Sequence, residues 1–298
     1  MIEIMVEETS SVIGKGFETW KQNLSICLPF VFSTVLTSVV GIIIIGGAIL
    51  AAIPSVVPLF TKLDEKCYTP DVIPLLLPHI LQSAGIIIIA IIAAIIICML
   101  INAFFSAGAI GMAKEATETG RANIAHMTEY GKRKFISLFV TDVIIGLISF
   151  VGLVFLVPSI LYIIPKLSVL SVLPPEEVIT TVAVFGLGVL AMIVYTLIIS
   201  IIFALPRYSV VIDDVGAIQG VKNGFGFFMR NKVAVFLLWL ITFVLFIISA
   251  AFGAIENIGW LISTIIFVIV IYPLTTIWWS RLYLSMVKPA EEEQNKIN

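Results

Sequence analysis

The sequence predicts an all-α membrane protein, a polytopic helical bundle of about six transmembrane helices with amphipathic interfacial helices. Of its 298 residues, 60% are apolar and 12% are charged, whereas about 25% of residues are charged in a typical soluble domain. A water-soluble fold of this length has too little interior to hide so much apolar surface. The chain also contains six long apolar stretches, which suit a lipid environment.

Each of the six stretches is long enough to cross a bilayer, which takes about 20 apolar residues at 1.5 Å per residue. They run approximately over residues 24–53, 84–113, 135–164, 178–205, 233–254 and 259–280. Helices are predicted because backbone amides in lipid must bond within their own segment unless a barrel closes. Runs such as "GIIIIAIIAAIIICML" at 85–100 lack the alternation that a barrel strand requires.

The distribution of cationic residues predicts the orientation. With the N-terminus in the cytoplasm, 14 of the 17 Lys and Arg residues fall on the cytoplasmic side. The remaining three are in outer loops, at Lys62, Lys66 and Lys166. This bias follows the positive-inside rule and requires an even number of spans. We therefore expect a multi-pass protein of the cytoplasmic membrane with both termini in the cytoplasm.

The chain is predicted to form one transmembrane domain over residues 1–290, followed by a polar tail at 291–298. Two short segments resemble each other, "GFETWKQN" at 16–23 and "GFGFFMRN" at 224–231, and each leads into a span. A weaker echo, "GKRKF" at 131–135, precedes the third span. These segments suggest three two-helix repeats over about 8–113, 114–206 and 207–288, with chance similarity as the alternative.

The segment "FALPRYSVVIDDVGAIQGVKNGFGFFMRNK" at 203–232 carries a family resemblance. It is similar to a segment of prokaryotic, especially archaeal, six-span membrane proteins of unknown function. Those proteins resemble the membrane domain attached to some glycerophosphodiester phosphodiesterases. The resemblance implies a membrane module without the catalytic barrel, which needs on the order of 200 residues. No catalytic residue carries over.

Asp142 is the one acidic residue within the six apolar stretches, and it follows Lys134 by eight positions. That spacing places it roughly 12 Å along the helix, near the inner boundary. Its functional interpretation is a proton or cation relay that faces the bundle interior. The structural alternative is a carboxylate that reaches toward Lys134 or bonds to a neighbouring helix. Asn102 is a further candidate for a functional polar residue within a span. Together with Tyr195, Thr196 and Ser200, it is also a candidate for hydrogen bonds between helices.

Two charged groups near the inner surface are further candidates. Asp213 and Asp214 suggest either a cation or headgroup site at the interface, or an N-cap for the helix that follows. Lys132, Arg133 and Lys134 suggest a site for anionic lipid headgroups, or a determinant of topology alone.

Small residues and prolines predict local features of the helices. Gly216, Gly220 and Gly224 form a four-residue stripe that permits close helix contact. Pro29 and Pro273 are expected to kink their spans. "PPEE" at 174–177 is typical of a helix start, with proline and carboxylates in the first turn.

These features favour a non-enzymatic role, as a membrane scaffold or accessory subunit that organises lipid or a partner protein. The expected partners are the lipid bilayer and either another membrane protein or further copies of the chain. The net charge of −2 argues against nucleic acid, and no cofactor or metal is expected. The alternative is a small transporter or channel, which needs polar groups along a path. An intramembrane enzyme ranks third, because paired catalytic groups are missing.

Overall fold

The computed structural model describes the backbone of residues 8–65, 72–165 and 174–297, and the side chains of these ranges outside 53–83, 175 and 286–297. The described chain is helical throughout, as the composition predicts. Its helices are α1 (Thr9–Gln22), α2 (Leu28–Glu65), α3 (Val72–Thr119), α4 (Ile124–Phe150), α5 (Val157–Ile163), α6 (Pro175–Ile202), α7 (Pro206–Ile212), α8 (Ala217–Arg230), α9 (Lys232–Gly253), α10 (Gly259–Ile266) and α11 (Tyr272–Ile297).

Six helical segments in the described residues are long and apolar enough to cross a membrane. They are Leu24–Ala52, Ala84–Thr119, Ile124–Ile163, Glu176–Ile212, Lys232–Gly253 and Gly259–Ser285, numbered here as spans 1 to 6. Their outward surfaces are strongly apolar, with Ile42 72% exposed and Ile89 68% exposed. Such surfaces are stable in contact with lipid chains, so the predicted class of membrane helical bundle is confirmed.

Neighbouring spans pack as hairpins, with α2 against α3, α5 against α6, and α9 against α10. The short helix α7 is placed differently, because it packs against α3, α4, α8 and α11 at once. Its residues Pro206, Ser209, Val210, Val211 and Ile212 are all buried. Most of this helix is therefore enclosed by its neighbours.

Helices α1 and α8 end in the same way at the two similar sequence segments. The side-chain amide of Asn23 donates to the carbonyl of Thr19 at 3.1 Å, and that of Asn231 donates to Phe227 at 3.1 Å. Each asparagine thus binds a carbonyl in the last turn of its helix, and the next span starts immediately. The three-unit repeat stays a prediction.

The glycines of these segments lie at close helix contacts. A Cβ on Gly16 would lie 2.3 Å from the ring of Trp278, and one on Gly224 would lie 2.5 Å from the backbone nitrogen of Pro206. Gly220 is equally close to Val210, at 2.3 Å. Close packing therefore explains Gly220 and Gly224, as the stripe predicts. Gly216, the third member, instead stands at the N-cap of α8 with open space around it.

Two of the prolines singled out in the sequence lie in the first turn of a helix. Pro175 begins α6, and Glu176 and Glu177 stand in its first turn, so this predicted helix start is confirmed. Pro29 lies in the first turn of α2, directly after the 3-10 turn Leu24–Cys27, where a missing amide costs nothing; a kink there stays a prediction. The first apolar stretch was predicted to end near residue 53, but its helix α2 continues to Glu65.

Pro273 does distort its span, and the distortion is a π-helical turn over Phe267–Ile271. Because proline has no amide hydrogen, the carbonyl of Ile269, four residues earlier, loses its helical partner. The indole N–H of Trp20 donates to this carbonyl at 3.3 Å, and the Cys27 thiol donates to it at 3.1 Å. The freed carbonyl therefore anchors the end of α1 to span 6.

Candidate functional site

A central cavity of about 760 Å³ lies between the spans, and every one of the six contributes to its wall. Pockets for small molecules commonly measure about 300–1,000 Å³, so this volume suits a small organic solute. The wall is unusually polar for the interior of a membrane bundle. Its polar and titratable residues are Ser33, Thr34, Thr37, Asn102, Ser106, Asp142, Ser200, Arg207, Tyr208, Trp239, Thr242, Tyr272, Thr275 and Thr276.

An ion pair between Asp142 on α4 and Arg207 on α7 dominates the chemistry of the cavity. The guanidinium Nε of Arg207 donates to Oδ1 of Asp142 at 2.6 Å. Arg207 leaves 49% of its side-chain surface accessible, whereas Asp142 leaves 13%. Since Arg207 lines the cavity, the guanidinium is the partner of this pair that a solute would meet first.

Arg207 corrects one detail of the predicted topology. Its span was expected to end at residue 205, with Arg207 counted among the cytoplasmic cations. The structure instead breaks the helix over residues 203–205 and continues it as α7, inside a candidate span that ends at Ile212. Pro206 starts this second helix, and Arg207, the next residue, lines the cavity. Proline is favourable at the first position of a helix, because its missing amide would have no partner there.

Contacts between spans hold the wall of the cavity together. Spans 1 and 2 are joined by the Ser33 hydroxyl, which donates to Oδ1 of Asn102 at 3.0 Å. Spans 4 and 5 are joined by the indole N–H of Trp239, which donates to Oγ of Ser200 at 3.1 Å. Span 6 meets span 4 where the rings of Tyr208 and Trp279 lie 6.4 Å apart. The polar groups thus fix helix positions and also line the void.

The predicted polar residues fall into two separate places. Asp142 and Asn102 both line the cavity. Asp142 faces the bundle interior and bonds to a neighbouring helix, which combines elements of both interpretations given for it. Its salt bridge runs to Arg207, whereas Lys134 pairs with Asp214. Ser200 makes the predicted bond between helices. Thr196 instead donates to Met192 in its own helix.

Asp213 and Asp214 lie in the turn between α7 and α8, away from the cavity lining. The expected N-cap is wrong, because α8 begins at Ala217 with Gly216 as its N-cap. Asp213 caps the C-terminal end of α7. Its Oδ2 accepts from the hydroxyls of Tyr283 at 2.5 Å and Ser209 at 3.0 Å. A bond of 3.2 Å from Asn223 adds a third donor, so this carboxylate joins α7, α8 and α11.

Asp214 pairs with the cations of α4. Its Oδ1 lies 2.5 Å from Nζ of Lys134 and 3.4 Å from Nε of Arg133. The hydrogen bond from Lys134 is the main reason that the pKa of Asp214 lies below its usual value. Asp214 also has a positive φ of 58°, a conformation that Asp and Asn tolerate better than most residues. The pair therefore holds a tight turn in place.

Two lysines bind backbone carbonyls at the same end of α7. Nζ of Lys114 donates to the carbonyl of Ile212 at 3.1 Å, and Nζ of Lys134 donates to Val215 at 3.3 Å. Cations at a helix C-terminus satisfy free carbonyls and interact favourably with the helix dipole. Lys134 is buried, whereas Lys132 and Arg133 are exposed. Headgroup binding by these cations stays a prediction, with Lys132 and Arg133 the accessible members.

Sequence reasoning missed Arg207 and the aromatic residues of the cavity. A positive charge directly after an apolar stretch normally marks the membrane boundary, which hid Arg207. Trp239, Tyr272 and Trp279 look like ordinary core or belt residues in an apolar helix. One signal was present, because Asp142 and Arg207 are charges of opposite sign near the inner ends of consecutive spans. Only their packing brings them together.

Comparisons with known proteins cover most of the chain. The model of a domain of unknown function, DUF7847, matches residues 41–285, which include Asp142 and Arg207. A protein described as uncharacterized from Archaeoglobus fulgidus is 24% identical over 289 residues, covering 94% of this chain and 96% of that protein. No solved structure matches. These matches support the archaeal-type family of unknown function, and they lend no support to the phosphodiesterase membrane domain.

Proposed function

We propose that this chain, which belongs to the DUF7847 family, is a transporter of small solutes in the cytoplasmic membrane. The observation that carries the proposal is the Asp142–Arg207 ion pair in a cavity walled by all six spans. Each charge within a span costs about 2.5–3.5 kcal/mol on insertion scales. Buried ion pairs are weak stabilisers compared with apolar packing. The pair is therefore better explained by a ligand that uses it.

Interrupted helices beside the cavity support the same proposal. Span 4 is broken over residues 203–205, directly before Arg207. Span 6 contains the π-helical turn Phe267–Ile271, directly before Tyr272, which lines the cavity. Secondary transporters commonly bind their substrates near the bilayer midplane at discontinuous helices. Such breaks let one half of a span move relative to the other.

The proposal makes the protein non-enzymatic. Asp142 is the one carboxylate in the described cavity lining, which contains neither histidine nor cysteine. General acid–base catalysis and nucleophile activation usually need a positioned pair of such groups. The scaffold role preferred on sequence grounds gives the cavity no task, and it stays a prediction. Copurification of a fixed partner protein from native membranes would favour it.

Access of water to the cavity from both sides of the membrane tests transport without knowledge of the substrate. All three cysteines, Cys27, Cys67 and Cys98, are first replaced by serine or alanine. Thr242→Cys then places a thiol in the cavity wall on α9. Val244→Cys, two residues away and 45% exposed on the outer surface of the bundle, is the matched control. Each is treated with a membrane-impermeant thiosulfonate in right-side-out and inverted vesicles.

A transporter exposes its binding site to each side in turn. We therefore expect Thr242→Cys to react in both vesicle orientations and Val244→Cys to react in neither. Reaction from one side alone would indicate a one-sided binding pocket and would overturn transport. Failure to react from either side would show that the cavity is closed to solutes and would also overturn it. Thr34→Cys, with Val35→Cys as its control, repeats the comparison on α2.

A further inference from the structure

The cavity is electrically neutral as the structure presents it. Its charged residues are Asp142 on α4 and Arg207 on α7, and the other titratable side chains in its lining are Tyr208 on α7 and Tyr272 on α11. The lining residues of α2, α3, α6 and α9 are not titratable. A charged solute that enters must therefore be neutralised either by Asp142, by Arg207, or by a proton that enters with it.

Arg207 is the side of the pair that has bonding capacity left. Its hydrogen bond to Asp142 uses Nε, and within the described residues Nη1 and Nη2 have no hydrogen-bond partner. A guanidinium presents a planar fork of donors that matches the two oxygens of a carboxylate. Asp142, by contrast, is 13% exposed and already accepts a bond of 2.6 Å. The geometry favours an anionic group on the solute.

The aromatic part of the wall suits an apolar body. Aromatic rings from three spans face the same cavity, with Phe30 on α2, Phe243 and Phe246 on α9, and Trp279 on α11. Aromatic surfaces bind apolar and ring-shaped groups with a large gain from burial. A single fork of donors next to these four rings fits one carboxylate on an apolar or aromatic skeleton better than a polyanion.

Charge balance then determines what happens to Asp142. When a carboxylate replaces Asp142 as the partner of Arg207, the cavity would hold two negative charges and one positive charge. An unpaired carboxylate in this environment is strongly unfavourable. One proton taken up from water by the Asp142 carboxylate restores neutrality: protonated Asp142, the Arg207 cation and the solute anion sum to zero. If another group in the lining took that proton, the Asp142 carboxylate would stay negatively charged and without its partner.

We infer, on the basis of the proposed transport function, that the substrate is an organic monocarboxylate with an apolar or aromatic body, and that Asp142 takes up one proton as the carboxylate binds Arg207. Proton and anion then cross together without net charge movement. Asp142 acts as a proton carrier, and Arg207 acts as the anion-binding residue. Asn102, with its carbonyl oxygen bonded to Ser33, is a neighbouring donor for a polar substituent.

Calorimetry on the full chain in lipid nanodiscs tests this with three matched probes. They are 3-phenylpropanoate, its neutral amide, and 3-phenylpropylammonium, which share a skeleton and differ in charge. We expect the anion to bind at least about tenfold more tightly than the other two. Titrations in two buffers of different ionisation enthalpy should report uptake of about one proton per anion bound. Affinity for the anion should rise up to tenfold for each unit of pH decrease.

Variants separate the two residues. Asp142→Asn imitates the protonated carboxyl, so it should bind the anion without proton uptake and with an affinity independent of pH. Arg207→Gln should weaken anion binding at least about tenfold. Arg207→Lys keeps the charge but loses the planar fork of donors, so its affinity for the anion should lie between those of the wild type and Arg207→Gln. Arg121→Gln, an exposed arginine outside the cavity lining, is the control and should leave binding unchanged.

Each contrary result has a defined meaning. Tighter binding of the amide or the ammonium, or no binding of any probe, overturns the monocarboxylate assignment. Anion binding without proton uptake in the wild type overturns the role of Asp142. Neither result contradicts transport if the cavity cysteines react from both sides. Cavity cysteines that stay unreactive from both sides remove the proposed function and this inference with it.

Discussion

The indole N–H of Trp20 donates a hydrogen bond of 3.3 Å to the carbonyl of Ile269, across 249 positions of the chain. Ile269 stands four residues before Pro273, whose missing amide leaves that carbonyl without its helical donor. A reciprocal bond runs from the indole of Trp278 to the carbonyl of Ile13 at 3.1 Å. Two tryptophans therefore join the surface helix α1 to the last span.

Trp20→Phe removes the donor while keeping an aromatic ring, so the carbonyl of Ile269 keeps the Cys27 thiol as its donor. We expect a loss of stability of about 1 kcal/mol, measured as a lower midpoint of thermal unfolding in detergent. Pro273→Ala supplies the missing amide, so it should reduce the cost of Trp20→Phe in a double-mutant cycle. Trp260→Phe, at a tryptophan that is 67% exposed, is the control. Equal costs in both backgrounds would refute the role of the freed carbonyl.

The asparagines that end α1 and α8 should differ in importance. Besides its bond to Thr19, Asn23 donates to the carbonyl of Gly120 at 3.2 Å and accepts from the amide of Ala122 at 2.7 Å. The side chain of Asn231 donates to the carbonyl of Phe227, in its own helix. At about 1 kcal/mol per bond, Asn23→Ala should destabilise the protein clearly more than Asn231→Ala. Equal falls in the unfolding midpoint would contradict this ranking.

Two glycines of α8 provide a matched test of helix packing. Gly224→Ala places a Cβ 2.5 Å from the backbone nitrogen of Pro206, which cannot move without shifting α7. Overpacking of this kind costs typically about 1–3 kcal/mol. Gly226→Ala meets its nearest neighbour, Nη2 of Arg230, at 4.0 Å, and should be neutral or stabilising because alanine favours helices. Similar unfolding midpoints for the two variants would show that α7 and α8 do not pack this tightly.

The Lys134–Asp214 pair predicts a pH dependence of stability. The bond from Lys134 holds the pKa of Asp214 below its ordinary value, which is about 3.9. The carboxylate therefore contributes stability above that value, and the contribution is lost as pH falls toward the lowered pKa of the folded state. Asp214→Asn keeps the shape and tolerates the positive φ, so it removes the charge alone.

Thermal unfolding from pH 7 down to pH 3 measures this effect. The wild type should unfold at a higher temperature than Asp214→Asn at pH 7 and pH 5, and the difference should shrink below pH 4. Asp64→Asn, at an aspartate of the distant α2 terminus, corrects for the general effect of removing a carboxylate. A difference between wild type and Asp214→Asn that stays constant down to pH 3 would exclude the ion pair as its cause.

The Asp142–Arg207 pair shows where sequence reasoning stopped. Asp142 stood out because a carboxylate in an apolar stretch is costly and needs a partner. One partner considered from the sequence was Lys134, eight positions away on the same helix. The actual partner is 65 positions away, beyond the predicted end of its span at residue 205. A sequence pattern ranks partners by spacing along one helix, and it does not show which faces of separate helices meet.

The sequence by itself determined the membrane environment, the helical class and the number of spans, because these depend on local composition and on the cost of unpaired amides in lipid. It also located the helix start at Pro175 and the distortion at Pro273, since the missing amide of proline acts within one turn. Tertiary structure alone decided that α7 packs among four other helices and that Arg207 meets Asp142 in a cavity. Those features depend on how six apolar surfaces pack together, and residues far apart in the chain determine that packing.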